Sequence, residues 1–155
     1  LEPTYHNYAR NIVEFSAPFN VYIPTYDTSK KKINLSYFLS QFETKAGKNF
    51  ISNGDAGYLL FGPYFTFPSG KYEWEMVLAL IEGSNDYLGS IDLVANNNIY
   101  AQSDLHALDF GDGTISVNLQ MSCDEITEHI EFRLAVSEGT IMEVQSVAVK
   151  DIGMD

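Results

Sequence analysis

Two glutamates stand at a spacing that could do chemistry. Glu73 and Glu75 are two residues apart, and alternate residues of an extended strand share a face about 7 Å apart. That separation falls in the roughly 6.5–9.5 Å window of carboxylate pairs that hydrolyse glycosidic bonds with inversion. Two glutamates on the outer face of a strand are equally what a solvated surface looks like. The other reactive types are poorly placed. Cys123 is followed by Asp124 and Glu125, and neighbouring acids raise a thiol pKa and blunt it. His6, His106 and His129 form no HExxH or HxH pattern. There is no Gly-x-Ser-x-Gly, phosphate loop or dinucleotide fingerprint. Asp109-Phe110-Gly111 copies the kinase metal-binding triplet without its companion loops. The chain is therefore read as non-enzymatic, with hydrolysis at Glu73 and Glu75 as the minor alternative.

Binding chemistry is better represented. Ten Tyr, ten Phe and one Trp make 14% of the chain, and sugars stack their apolar ring faces on Trp and Tyr while charged and amide groups hold the hydroxyls. Tyr58, Tyr64, Trp74 and Tyr87 are candidate platforms; Glu75, Glu131 and Arg133 are candidate hydroxyl partners. Trp74 has a second reading as core, because its strand face also carries Tyr72, Met76, Leu78 and Leu80. Calcium is a further candidate. Hard cations collect Asp, Asn and backbone oxygens, and Asp55, Asp109 and Asp112 lie in Gly- or Asn-bearing loops. The same residues dominate turns for backbone reasons alone.

Charge and composition bound the partners. Nine basic against twenty-one acidic residues give a net charge of −12, which repels phosphate backbones and disfavours nucleic acid. The best apolar run, Met76 to Ile81, falls far short of the roughly 20 residues of a membrane helix. One cysteine cannot form an internal disulfide, and the count leans toward a reducing, cytoplasmic compartment. A length of 155 residues suits one domain. Residues 1–9 read as a lead-in from a longer parent chain and 10–155 as a single domain.

The elements that must position these residues are strands. Thr114 to Met121 alternates Ile115, Val117, Leu119 and Met121 against polar neighbours; Glu128 to Ser137 alternates Ile130, Phe132, Leu134 and Val136 against Glu131, Arg133 and Ala135. Asp112-Gly113 predicts a hairpin joining 105–110 to 114–121. Glu138-Gly139 turns the chain into a strand over 140–150, with a bulge near Ser146 returning Val147 and Val149 to the core. Lys71 to Glu82 is the longest strand, half exposed at its start and buried on both faces at its end. Gly57 to Phe67 is a strand pair or bent strand broken at Gly62-Pro63. Weaker strands fall at 89–95, 99–102, 10–15 and 20–23. Leu35, Phe38, Leu39 and Phe42 have helical spacing behind a potential Asn34 cap, or form a loop pinned by its aromatics. The pattern predicts an all-β sandwich or barrel with at most one short helix.

The run from Ser52 to Trp74 adds a likeness. Ser52-Asn53-Gly54-Asp55-Ala56-Gly57-Tyr58-Leu59-Leu60-Phe61-Gly62-Pro63-Tyr64, then Gly70-Lys71-Tyr72, resembles a jelly-roll module appended to bacterial glycosyltransferases and related surface-polysaccharide enzymes, and Ile130-Glu131-Phe132-Arg133-Leu134 resembles a strand of that module. The likeness covers about residues 46–150, with Phe65-Thr66-Phe67-Pro68 departing from the commoner aliphatics. It implies a jelly-roll β-sandwich of about 8–10 antiparallel strands and a carbohydrate-binding role, with glycan and parent-chain domains as partners. A structural or protein-interaction sandwich, such as an adhesin or oligomerisation domain, is the alternative.

Overall fold

The computed structural model describes residues 12–13, 30–42 and 50–153. Within them the strands are β1 (Ile12–Val13), β2 (Lys31–Ile33), β3 (Phe50–Ile51), β4 (Gly57–Leu60), β5 (Pro63–Phe67), β6 (Gly70–Gly83), β7 (Tyr87–Ala95), β8 (Asn98–His106), β9 (Thr114–Cys123), β10 (Thr127–Val136) and β11 (Thr140–Gly153). One sheet runs β1-β2-β11-β6-β9 with β3 beside β11; the other runs β4-β10-β7-β8 with β5 beside β10. Pairing is antiparallel except between β1 and β2. The chain changes sheet after β3, β5, β6, β8, β9 and β10, the repeated exchange of a jelly-roll sandwich. The proposed lead-in 1–9, the strand at 20–23 and most of that at 10–15 lie outside the described residues.

The alternating patterns translate directly into burial. Ile130, Phe132, Leu134 and Val136 of β10 face Tyr72, Trp74, Met76 and Leu78 of β6 across one buried cluster. Ring contacts knit its centre: Trp74 lies 5.2 Å from Phe67 and 5.3 Å from Phe132. In β11 the register slips between Val144 and Ser146, and Met142, Val144, Val147 and Val149 are all buried. The expected bulge thus restores the inward parity. The end of β6 is different from expectation. Leu80 is only half-buried and Ile81 is exposed, because the last residues of this strand project past the core cluster.

The turn at Asp112-Gly113 does not close a hairpin. β8 pairs with β7, and β9 pairs with β6 in the opposite sheet. The seven residues between them cross the sandwich, about 10 Å from sheet to sheet, with Phe110 buried beneath the crossing. Both strands alternate toward one core from opposite sides, which sequence patterning cannot distinguish from pairing. Glu138-Gly139 likewise carries the chain from β10 across to β11. The two-residue hairpin is instead β7–β8, where Asn96 and Asn97 have φ of 52° and 67°, both positive as a type I′ turn requires. The segment with helical spacing holds only a 3-10 turn, Leu35–Tyr37, whose Ser36 N–H donates to Asn34 Oδ1 at 2.9 Å. Phe38 is buried and Leu39 bridges to Phe61, so this is a loop held by its aromatics.

Candidate functional site

The outward side chains of the five-stranded sheet form three rows. Because β10 turns its apolar residues inward, Glu131, Arg133 and Ala135 point out, and register fixes their neighbours. Tyr58, Ala135, Ser90 and Asp104 make one row; Arg133, Asp92 and Gln102 the next; Glu131, Val94 and Ile99 the third. Adjacent strands lie about 4.8 Å apart, so side chains on neighbouring strands touch.

Arg133 is fixed at the centre. Its Nε and Nη2 donate to the two carboxylate oxygens of Asp92, each at 2.8 Å, the bidentate geometry that holds a guanidinium in one plane. The guanidinium carbon lies 5.2 Å over the Tyr58 ring, within cation–π range. The Asp92 hydrogen bonds and the nearby negative groups hold the Arg133 pKa above its ordinary value despite burial. Three of its five N–H donors remain for a ligand.

Tyr64 stands beside this pair, 40% exposed and close enough to Glu131 to feel its charge. Burial, then the charge and hydrogen bond of Glu131, raise its phenol pKa against the opposing pull of Arg133. Tyr64 therefore keeps its proton. Tyr64 and His129 both have positive φ, 65° and 60°, on paired strands where the register slips on either side of Ile130. Non-glycine residues in this region cost on the order of 1–3 kcal/mol each and concentrate at functional sites. Next to them a concavity of about 360 Å³ is lined by the Asn96–Asn97 turn, Ile99, His129, Glu131 and Arg133. Val94 lines it too; it is buried although it lies outside the core cluster, because outer-face side chains cover it.

Of the residues singled out by sequence, Tyr58, Tyr64, Glu131 and Arg133 come together here. Tyr87 does not. It lies at the opposite end of β7, edge-on to His106 at 5.8 Å. Trp74 is withdrawn as a platform, because it is fully buried between the sheets. Glu75 and Glu73 sit on β6, in the other sheet, so neither meets Arg133. Asp92 is the partner that sequence reading missed. The signal was the alternation Ser90, Asp92, Val94 on a strand whose faces had not been assigned.

Glu75 is tied into a network on the outer face of β6. Burial pushes the Glu75 carboxyl up, but the hydrogen bonds from Lys30 Nζ (2.7 Å) and Ser116 Oγ, with the charges of Lys30 and Lys150, outweigh it and leave its pKa lowered. Gln120 Nε2 donates to Glu73 at 3.4 Å. A general acid needs a raised pKa, which Glu75 does not have. Replacing Glu75 by Gln should cost about 0.5–1 kcal/mol at pH 7, the scale of such a pair. A folded-state pKa below the unfolded one contributes stability that is present above the unfolded value and lost as pH falls through the folded one. Urea midpoints of Glu75→Gln and the parent should therefore differ at pH 7 and converge toward pH 3.

The calcium candidates serve turns. Asp109 Oδ2 accepts from the His106 N–H at 2.9 Å, Asp112 Oδ1 from the Thr114 N–H at 3.3 Å, and the Asp55 N–H donates to Asn53 Oδ1 at 3.0 Å. Among the described residues no group of three or more His, Cys, Asp or Glu could hold a metal ion. Cys123 is buried, and burial raises its thiol pKa against a hydrogen bond from Thr127, with Asp124 adding to the rise. Among the described residues no helix is long and apolar enough to cross a membrane.

No protein-family model and no curated protein matches the chain. Among solved structures it is similar to the C-terminal CBM6 of a laminarinase from Zobellia galactanivorans, at 16% identity over 79% of this chain and 100% of that one, with a TM-score of 0.44. It is also similar to a carbohydrate-binding module of Cellvibrio mixtus lichenase 5A in complex with cellotriose, at 14% identity over 76% and 89% of the two chains and a TM-score of 0.43. A third similar structure holds the CBM22-1–GH10 modules of Clostridium thermocellum xylanase 10B complexed with xylohexaose, at 8% identity over 62% of this chain and a TM-score of 0.46; this chain spans 20% of its length. Identities and TM-scores this low transfer no ligand, so the binding residues rest on this chain's own geometry.

Proposed function

We propose that this chain is a non-catalytic carbohydrate-binding module, with its site on the outer face of the five-stranded sheet. The observation that carries the reading is the fixed Arg133–Asp92 pair lying over Tyr58, with Tyr64 and Glu131 close by. Together they offer tyrosine rings for stacking, guanidinium donors and carboxylate acceptors, with Arg133 and Glu131 lining one concavity. A sugar hydroxyl both donates and accepts, so it is satisfied by a surface that presents both kinds of group already locked in place. Association with a larger glycan-assembly protein rests on the likeness of residues 46–150 and belongs to the same proposal.

Arg133→Ala tests it. On an array of immobilised glycans the parent should retain ligands and the variant should lose affinity by about 10- to 100-fold, the loss of one or two charged hydrogen bonds. Equal retention by both would remove this face from the reading. One observation favours the rival, a protein-interaction sandwich. Among the described residues β9 is an edge strand of its sheet, ten uncharged residues without proline, paired to β6 in unbroken register. Such an edge lacks the usual guards against pairing with another chain. Concentration-dependent self-association in sizing experiments, without glycan binding, would decide for that rival.

A further inference from the structure

We infer that the Arg133 face takes neutral glycans and rejects acidic ones, because Arg133, its one Lys or Arg among the described residues, is already paired with Asp92. The inference rests on the proposed carbohydrate-binding reading and narrows its ligand class. Three carboxylates, Asp92, Asp104 and Glu131, project among the outer rows against one guanidinium. That guanidinium is held by both oxygens of Asp92 and lies within the field of Glu131. The chain around it carries a net charge of −12. Among the described residues a uronate or sulfate arriving here meets no unpaired Lys or Arg.

The hydrogen-bond inventory points the same way. A carboxylate or sulfate oxygen only accepts. Opposite it the face presents Glu131, which lines the same concavity as Arg133 and is itself an acceptor. An acidic sugar would leave acceptor against acceptor, both charged and partly desolvated. A neutral hydroxyl in the same place donates to Glu131 and accepts from Arg133. Asp92 is thus the specificity-determining residue: its carboxylate orients the guanidinium and also cancels its charge.

The experiment uses an array carrying neutral oligosaccharides beside their uronate and sulfated counterparts, including galactohexaose and hexagalacturonate, at pH 8 so that histidine is neutral. The parent protein should retain neutral probes and pass over the acidic ones. Asp92→Asn removes one negative charge and frees the guanidinium while keeping the side chain's shape, and should raise retention of acidic probes by about tenfold at low salt. Glu131→Gln, at a more open position, should shift preference in the same direction if Asp92→Asn fails to fold. High salt should leave neutral binding in place and shrink the difference among acidic probes. Acidic probes held as well as neutral ones by the parent, or no gain in either folded variant, would overturn the inference alone. Silence toward both classes would remove the carbohydrate-binding reading and this inference with it.

Discussion

Trp74→Ala is expected to lower stability by about 3–5 kcal/mol, the usual cost of deleting a large buried aromatic. Trp74→Phe is expected to cost only about 1 kcal/mol. The indole is fully buried and packs on Phe67 and Phe132, so truncation to Ala opens a cavity between the sheets. Its Nε1 has no hydrogen-bond partner among the described residues, so Phe removes a polar group that gains nothing in place and keeps most of the ring contacts. Urea unfolding with a constant slope would read both values directly. Glycan retention by Trp74→Phe should match the parent. A loss of binding without a loss of stability would put the ring back among the sugar platforms and refute its placement in the core.

The contrast between Trp74 and Arg133 shows what was legible. Inward residues were readable wherever strict alternation placed a large apolar side chain at every second position, as in β6, β9 and β10. Burial on one face imposes that period on the sequence. Which sheet each strand joins was not readable. Strands of both sheets alternate toward the same core, so β8 and β9 carry the same period whether they pair or merely face each other. Asp112-Gly113 has turn chemistry in either case, and local sequence does not record that the chain crosses the sandwich there. Asn96–Asn97 carries equally strong positive-φ chemistry, and it is this dipeptide that closes a hairpin.

The site followed the same logic. Glu131 and Arg133 were recognisable as one polar face because they alternate with Ile130, Phe132 and Leu134. Their neighbours depend on long-range register, which put Asp92 of β7 opposite Arg133 and left Glu73 and Glu75 in the other sheet. Tyr64 was legible only as an aromatic. Its closeness to Glu131 could not be read, because β5 meets β10 through two register shifts that no local pattern encodes.

The ladder that carries this site has its own point of failure. Gly89→Ala is expected to cost about 3 kcal/mol or more and to lower the melting temperature by roughly 6–12 °C, at about 2–4 °C per kcal/mol for a chain of this size. Gly89 has a φ of 151°, and a Cβ built there would stand 2.1 Å from the Ala135 carbonyl oxygen. That oxygen belongs to backbone, so no side-chain rotation relieves the contact, and the strands must separate. Both the backbone conformation and the close approach exclude any larger residue. Gly89 pairs with Val136 in the same β7–β10 ladder in which Asp92 pairs with Arg133, three positions along. Separation at Gly89 therefore loosens the bidentate pair, and glycan retention should fall together with stability. Gly111→Ala supplies the control: a Cβ there meets nothing within 4 Å, and both readouts should stay at the parent level. Loss of stability in Gly89→Ala with full glycan retention would show that the binding face does not depend on this ladder, and would break the link between the fold and the site argued from Arg133 and Asp92.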